Sequence, residues 1–177
     1  MKKKAIILSG NLVQDHEFIY PFYRLLEEGF SVDVCLNEGK PVKGILGTDI
    51  PPNKNHPVKN IDSITTKDYD FLIIPGGVKA LEKVRQNKNI IKFISSFYNE
   101  DKIIACICSG AQLLISAKIV KGKKISGYYS MKDDIENAGA IYTDLPAVID
   151  GKIITTAHYK DLGPWMKAAL DLYYKDN

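Results

Sequence analysis

The 177-residue chain carries 24 basic and 21 acidic side chains, a net charge of +3, with 45% hydrophobic and 25% charged residues, a size and composition suited to one globular domain spanning residues 1–177. So small and scattered a surplus excludes charge-driven nucleic-acid binding, and no apolar stretch approaches the ~20 residues that a membrane helix needs. Cys35, Cys106 and Cys108 are an odd count and make no disulfide framework.

The run Lys2-Lys3-Lys4 reads as the solubilising edge of a first strand. Ala5-Ile6-Ile7-Leu8 is that strand, continuous and apolar as in a buried parallel sheet. It is too short for a signal-peptide core and lacks a small-residue cleavage site, so the cytoplasm is the expected compartment. Phe18, Ile19, Phe22, Leu25 and Leu26 recur at helical spacing, with Pro21 early in the pattern, where a first helical turn tolerates it, and Gly29 as the stop. Ser31–Leu36 alternates as a second strand. The span from Asn37 to Asn60 is rich in Gly, Pro, Asn and Lys and reads as loops, with a small hairpin around Val42 to Leu46.

Tyr69–Ile74 is a buried strand closed by Pro75-Gly76-Gly77. Leu81 and Val84 mark one helix; Ile90, Ile91, Phe93, Ile94 and Phe97 mark the next. Ile103–Ile107 is another strand, followed by a helix from Ser109 to Lys118 and a surface turn at Lys121–Lys124. Met131 to Ala138 reads as helical, Ile141 to Val148 and Lys152 to Thr156 as strands around the turn Asp150-Gly151, and Asp161 to Tyr174 as a final helix. Strands alternating with helices give a mostly parallel α/β sheet with helices on both faces. In such sheets ligands bind beyond the C-terminal strand ends. The positions to watch are therefore Gly10–Glu17, Pro75–Val78, Cys108–Gly110 and Ala157–Tyr159.

Cys108 follows an apolar strand and precedes Ser109-Gly110, which opens a helix. That is the pattern of a nucleophile elbow, a strained turn that lifts one side chain above the sheet. The helix N-terminus favours a thiolate and is expected to lower the thiol pKa from about 8.5 into roughly the 3.5–7.5 range. Cys106, inside the strand, reads as a buried structural cysteine. Cys106-x-Cys108 has no Cys/His cluster to complete a metal site, and no phosphate-binding glycine motif is present, so neither metal nor cofactor is expected. The amides of Gly76, Gly77 and Ser109 are candidates for an oxyanion hole. Glu17, at the entry to the first helix, reads two ways: a carboxyl group exchanging a proton with the Cys108 thiol, or an acidic first-turn residue complementing the helix dipole.

Several segments together carry a family resemblance. They are Glu17-Phe18-Ile19-Tyr20-Pro21, Ile73-Ile74-Pro75-Gly76-Gly77, Ala105-Cys106-Ile107-Cys108-Ser109-Gly110-Ala111-Gln112, Lys132-Asp133-Asp134 with Asn137-Ala138-Gly139, and Asp161-Leu162 with Trp165-Met166. In these the chain resembles the ThiJ/PfpI family of the class I glutamine amidotransferase-like superfamily, in particular its intracellular protease PfpI-like branch. The resemblance implies a flavodoxin-like sandwich that assembles as a homodimer or higher homo-oligomer. It implies Cys108 as the reactive cysteine, Gly76, Gly77 and Ser109 as its oxyanion amides, and Glu17, four residues before Pro21, as its carboxyl partner. The branch has a histidine directly after the cysteine and a glutamate, matched here by Glu82, that orients it from a neighbouring subunit; this chain has Ser109 after the cysteine, so Glu82 has nothing obvious to orient and reads as a solvated helix glutamate. His158, after the last strand, is then a candidate base or substrate contact, or a partly exposed loop histidine. Tyr128 reads as a pocket-lining hydroxyl or a packed aromatic.

The function these readings support is a cysteine-dependent enzyme. It is expected to be an amidase- or peptidase-like hydrolase, or a glyoxalase- or deglycase-type enzyme, acting on a small carbonyl compound or a peptide. The alternative is a non-catalytic stress protein in which Cys108 is oxidised and Glu17 holds the product.

Overall fold

The apolar run at the start of the chain lies in β1 (Lys4–Ser9), and Ala5, Ile6, Ile7 and Leu8 have no exposed surface, as a strand covered on both faces requires. The structure is a computed structural model that describes residues 3–176, so Lys2 of the basic run lies outside the described residues. Lys4 opens β1 and pairs with Asp33 at 3.0 Å. In chain order there follow α1 (Asp15–Glu27), β2 (Ser31–Leu36), β3 (Val42–Lys43), β4 (Asp49–Ile50), β5 (Val58–Lys59), β6 (Phe71–Ile74), α2 (Val78–Val84) and α3 (Lys88–Asn99). The remainder is β7 (Ile103–Ile107), α4 (Ala111–Ser116), β8 (Lys124–Ile125), α5 (Lys132–Asn137), β9 (Ile141–Tyr142), β10 (Val148–Asp150), β11 (Ile153–Thr156) and α6 (Leu162–Asp176).

The main sheet runs β10-β11-β7-β6-β1-β2-β5. Its one antiparallel pair is β10 with β11; the other pairs are parallel. Without its two edge strands this is the flavodoxin-like order, in which the chain leaves β1 first to one side and then to the other. The crevice between β1 and β6 is therefore the switch point where ligands are received. Helices α1 and α6 pack on one face and α2, α3 and α4 on the other, and the core they enclose is one continuous cluster. Trp165 docks α6, with no exposed surface and its indole N–H donated to the Ile154 carbonyl at 3.2 Å. Among the described residues no helix is long and apolar enough to cross a membrane.

Three local expectations need correction. Pro21 lies nearly two turns inside α1, not in its first turn; it offers no N–H to the Glu17 carbonyl four residues back. The hairpin near Val42 closes further out, β3 pairing with β4 through Val42–Ile50 and Lys43–Asp49. The run Ile141 to Val148 is split into β9 and β10, which belong to different sheets. The sequence showed no sign of β5, because two residues are too short for a period of two to register.

Candidate active site

Consecutive strand ends carry the expected residues to one point. β1 leads into α1 and Glu17, β6 ends on Pro75-Gly76-Gly77, and β7 ends on Cys108. Cys108 has φ +59°, left-handed backbone that a side-chain-bearing residue adopts only under strain. The elbow turns the thiol out of the sheet, and its carbonyl is held by the Tyr128 N–H at 3.1 Å. Gly76 makes the close approach possible. A Cβ there would lie 2.7 Å from the Cys108 Cβ and 3.0 Å from its Sγ, and would also meet the Glu17 carboxylate. Gly77 has φ +104°, and a Cβ on it would lie 2.7 Å from the Leu12 carbonyl oxygen, so only glycine fits.

Glu17 has no exposed surface. Its Oε2 accepts the Gly76 N–H at 2.7 Å, its Oε1 has no partner among the described residues, and the Cys108 thiol lies beside the carboxyl group, both crowding the space over Gly76. Burial pushes its pKa up to about 7, against the pull of the Gly76 N–H and the Cys108 thiol. A carboxyl group so tuned gives and takes a proton at neutral pH. The Cys108 thiol differs from the sequence expectation: burial, then the Glu17 charge, push it up to about 12, while the Ser109 N–H and hydroxyl pull the other way. Here desolvation outweighs the helix N-terminus. Cys108 and Glu17 are a coupled pair, so a thiol beside a carboxylate and a thiolate beside a carboxylic acid are two forms with the same proton count.

The oxyanion donors are also rearranged. With the Gly76 N–H given to Glu17, the remaining candidates are the amides of Gly77 and Ser109. Gly77 uses its carbonyl to accept the Leu81 N–H at 3.0 Å, and its own N–H has no protein partner among the described residues. Ser109 is buried, and its hydroxyl lacks a conventional partner.

A cavity of about 370 Å³ joins Glu17, Gly77, Cys108, Ser109, Tyr128 and His158. It also takes in Gln14, Ile45, Val78 and Tyr159; of these Ile45, on the β3–β4 hairpin, carried no signal in the sequence. His158 is half-buried, and its Nδ1 accepts the Lys160 N–H at 3.1 Å. With Nδ1 occupied by that bond, Nε2 is the ring nitrogen left for a ligand in the cavity. The ring lies tilted against Tyr159, centroids 4.0 Å apart, and stacks loosely on Tyr128 at 6.3 Å. A larger cavity, about 640 Å³, lies beyond Ser109 and Tyr128 and reaches Glu82 and Arg85 but neither Cys108 nor Glu17. Among the described residues no group of His, Cys, Asp and Glu is arranged to hold a metal ion.

Comparison with known proteins returns the same fold. Residues 3–172 match the DJ-1/PfpI family. Deglycase PfpI of Pyrococcus furiosus is 35% identical over 169 residues, covering 96% of this chain and 98% of that one. General stress protein 18 of Bacillus subtilis is 32% identical over 178 residues, covering 99% and 100%. Among solved structures, a two-domain protein of Anabaena variabilis containing DJ-1/ThiJ/PfpI-like and ferritin-like domains matches with a TM-score of 0.89 and 33% identity. The match covers 96% of this chain and 48% of the Anabaena protein, so this chain spans about half of it.

Proposed function

The chain belongs to the DJ-1/PfpI family, and from that premise we propose that it is a cysteine-dependent enzyme of deglycase type, acting on 2-oxoaldehydes, free or added to an amine or thiol. The observation that carries this reading is the contact between Cys108, on its left-handed elbow, and a Glu17 carboxyl whose pKa is pushed up to about 7, at one cavity. Relatives named deglycases support it.

The Cys108 sulfur adds to the aldehyde carbon; a C–S bond forms, the C=O π pair moves to oxygen, and the S–H proton passes to Glu17. The amides of Gly77 and Ser109 receive the oxyanion. Glu17 returns that proton to the oxyanion, giving the hemithioacetal, and as a carboxylate again carries the hydrogen of the former aldehyde carbon, as a proton, to the neighbouring carbon, while the hydroxyl proton passes from the first oxygen to the second. The product is a thioester of a 2-hydroxy acid, and water hydrolyses it to free Cys108. The Nε2–H of His158 and the Tyr128 hydroxyl hold the second carbonyl oxygen. The working form is a homodimer or higher oligomer. A hydrolase acting on amides or peptides is the less favoured branch, since Nδ1 of His158 is taken by the Lys160 N–H and Ser109 supplies no imidazole.

A redox role is the second reading, favoured by the contact of Glu17 with the Cys108 thiol, which would equally hold a sulfinate. The test is 2-hydroxy acid formation from methylglyoxal by wild type and Cys108→Ala. The enzyme reading expects turnover abolished in the variant. No turnover in wild type, with selective conversion of Cys108 to sulfinic acid by mild peroxide, would instead establish the redox role.

A further inference from the structure

We propose that the β3–β4 hairpin is the wall that sets substrate bulk at Cys108, and that Asp15 is the positioning residue that latches this wall. Its consequence for turnover rests on the enzyme reading above; the geometry does not.

The hairpin pairs only with itself, outside the main sheet, so the sheet does not fix where it sits. Its tip carries Ile45, which lines the Cys108 cavity while 47% of it remains exposed. Main-chain bonds bring it there: the Ile45 N–H donates to the Val13 carbonyl at 2.9 Å, and the Leu12 N–H donates to the Lys43 carbonyl at 2.8 Å.

Asp15 completes the attachment. It is 2% exposed and makes no ion pair among the described residues. A buried carboxylate without a cation persists only where hydrogen bonds replace its water. Here Oδ2 accepts the Leu46 N–H at 2.8 Å and Oδ1 the Thr48 N–H at 3.1 Å, the two sides of the hairpin tip. Burial raises the Asp15 pKa, but these bonds outweigh it and hold the carboxyl below its usual range. Gly44 lets the hairpin lie directly on the carboxylate, since a Cβ at that position would fall within 2.6 Å of its Oδ2.

The same segment backs the reacting groups. The Gln14 N–H donates to the Gly76 carbonyl at 3.2 Å, and Leu12 abuts Gly77. Asp15 and Glu17 share the first turn of α1, so the wall and the proton carrier are set by one piece of chain. The face that Ile45 offers is aliphatic, and the substituent it receives beside the reacting carbonyl is short and apolar.

The test is the rate of Cys108 alkylation by two probes, iodoacetamide and N-phenylmaleimide, read by peptide mass spectrometry. Neither probe needs turnover. Ile45→Ala, at an exposed tip, is expected to raise the phenylmaleimide-to-iodoacetamide ratio about tenfold, the low end for a change of this size in a pocket wall. Ile45→Trp should lower it. Asp15→Asn exchanges an acceptor oxygen for an N–H₂ facing an N–H, and should raise the ratio as Ile45→Ala does while Cys35 and Cys106 stay unlabelled. An unchanged ratio in both Ile45 variants overturns the wall. Labelling of Cys35 and Cys106 in Asp15→Asn overturns the latch, because the carboxylate would then be supporting the whole fold. Failure of wild type to turn over 2-oxoaldehydes would sink the enzyme reading and leave these ratios standing.

Discussion

At the scale of single residues, chemistry is concentrated where a proton is shared. Under the proposed mechanism the Cys108–Glu17 pair loses a proton as pH passes the Glu17 value of about 7, and the form left behind is the one that attacks. Cys108 alkylation by iodoacetamide should therefore rise through about pH 7, while in Glu17→Gln, where no carboxylate can take the proton, the rise should move upward by a unit or more. A wild-type inflection near 9 would mean that Glu17 is uninvolved. The same carboxyl makes stability pH-dependent. Its folded pKa is raised above the unfolded value, so the native state binds the extra proton, and stability falls as pH climbs from the unfolded carboxyl value toward 7. The fall is on the order of 3 kcal/mol. Since Gln cannot ionise, the melting temperature of Glu17→Gln relative to wild type should increase by several degrees between pH 5 and pH 8. A constant difference would contradict the burial argument.

Legibility at this scale was uneven. Cys108 was legible because a buried strand, a cysteine and Ser-Gly follow one another in sequence. Glu17 stood open between two readings, since its partners Gly76 and Cys108 are brought to it only by the sheet. Asp15 was invisible as a latch, its bonds reaching 31 and 33 residues along the chain.

At the scale of elements, the turn after β6 is the most sensitive piece. Gly77→Ala would force a side chain into left-handed backbone and against the Leu12 carbonyl. The expected loss is about 1–3 kcal/mol of stability, read as a lower urea midpoint with unchanged slope. Under the proposed mechanism the loss of turnover should be larger than stability accounts for, because the displaced N–H is one of the two amides assigned to the oxyanion. A midpoint within error of wild type would show that the turn relaxes freely. The long strands and helices were legible from apolar runs and spacing. The elements that escaped, β5 and the outward-shifted hairpin, are pairs of two residues whose existence depends on a partner. Ile45 enters the site only through that hairpin, so no local pattern announces it.

At the scale of the whole molecule, the mostly parallel sheet was legible because alternating strands and helices leave few topologies, while the switch point needed the strand order itself. Assembly is a different matter. Tyr20, Tyr23 and Leu26 on α1 are 36%, 50% and 42% exposed, a run of apolar surface that a second copy would cover. Light scattering at micromolar concentration is expected to give at least twice the 19.8 kDa of one chain, and Tyr23→Lys should shift the population toward that single-chain mass. A wild type that is monomeric throughout would refute the assembly. The fold brings Cys108, Glu17 and the Gly77 and Ser109 amides to one cavity, and the claim that most needs testing is that Glu17 carries the proton. The measurement is 2-hydroxy acid formation from methylglyoxal by Glu17→Gln beside wild type. The expected result is a loss of at least about a hundredfold, the low end for removing a general base, with the variant still folded and Cys35 and Cys106 still protected. A rate equal to wild type would contradict it.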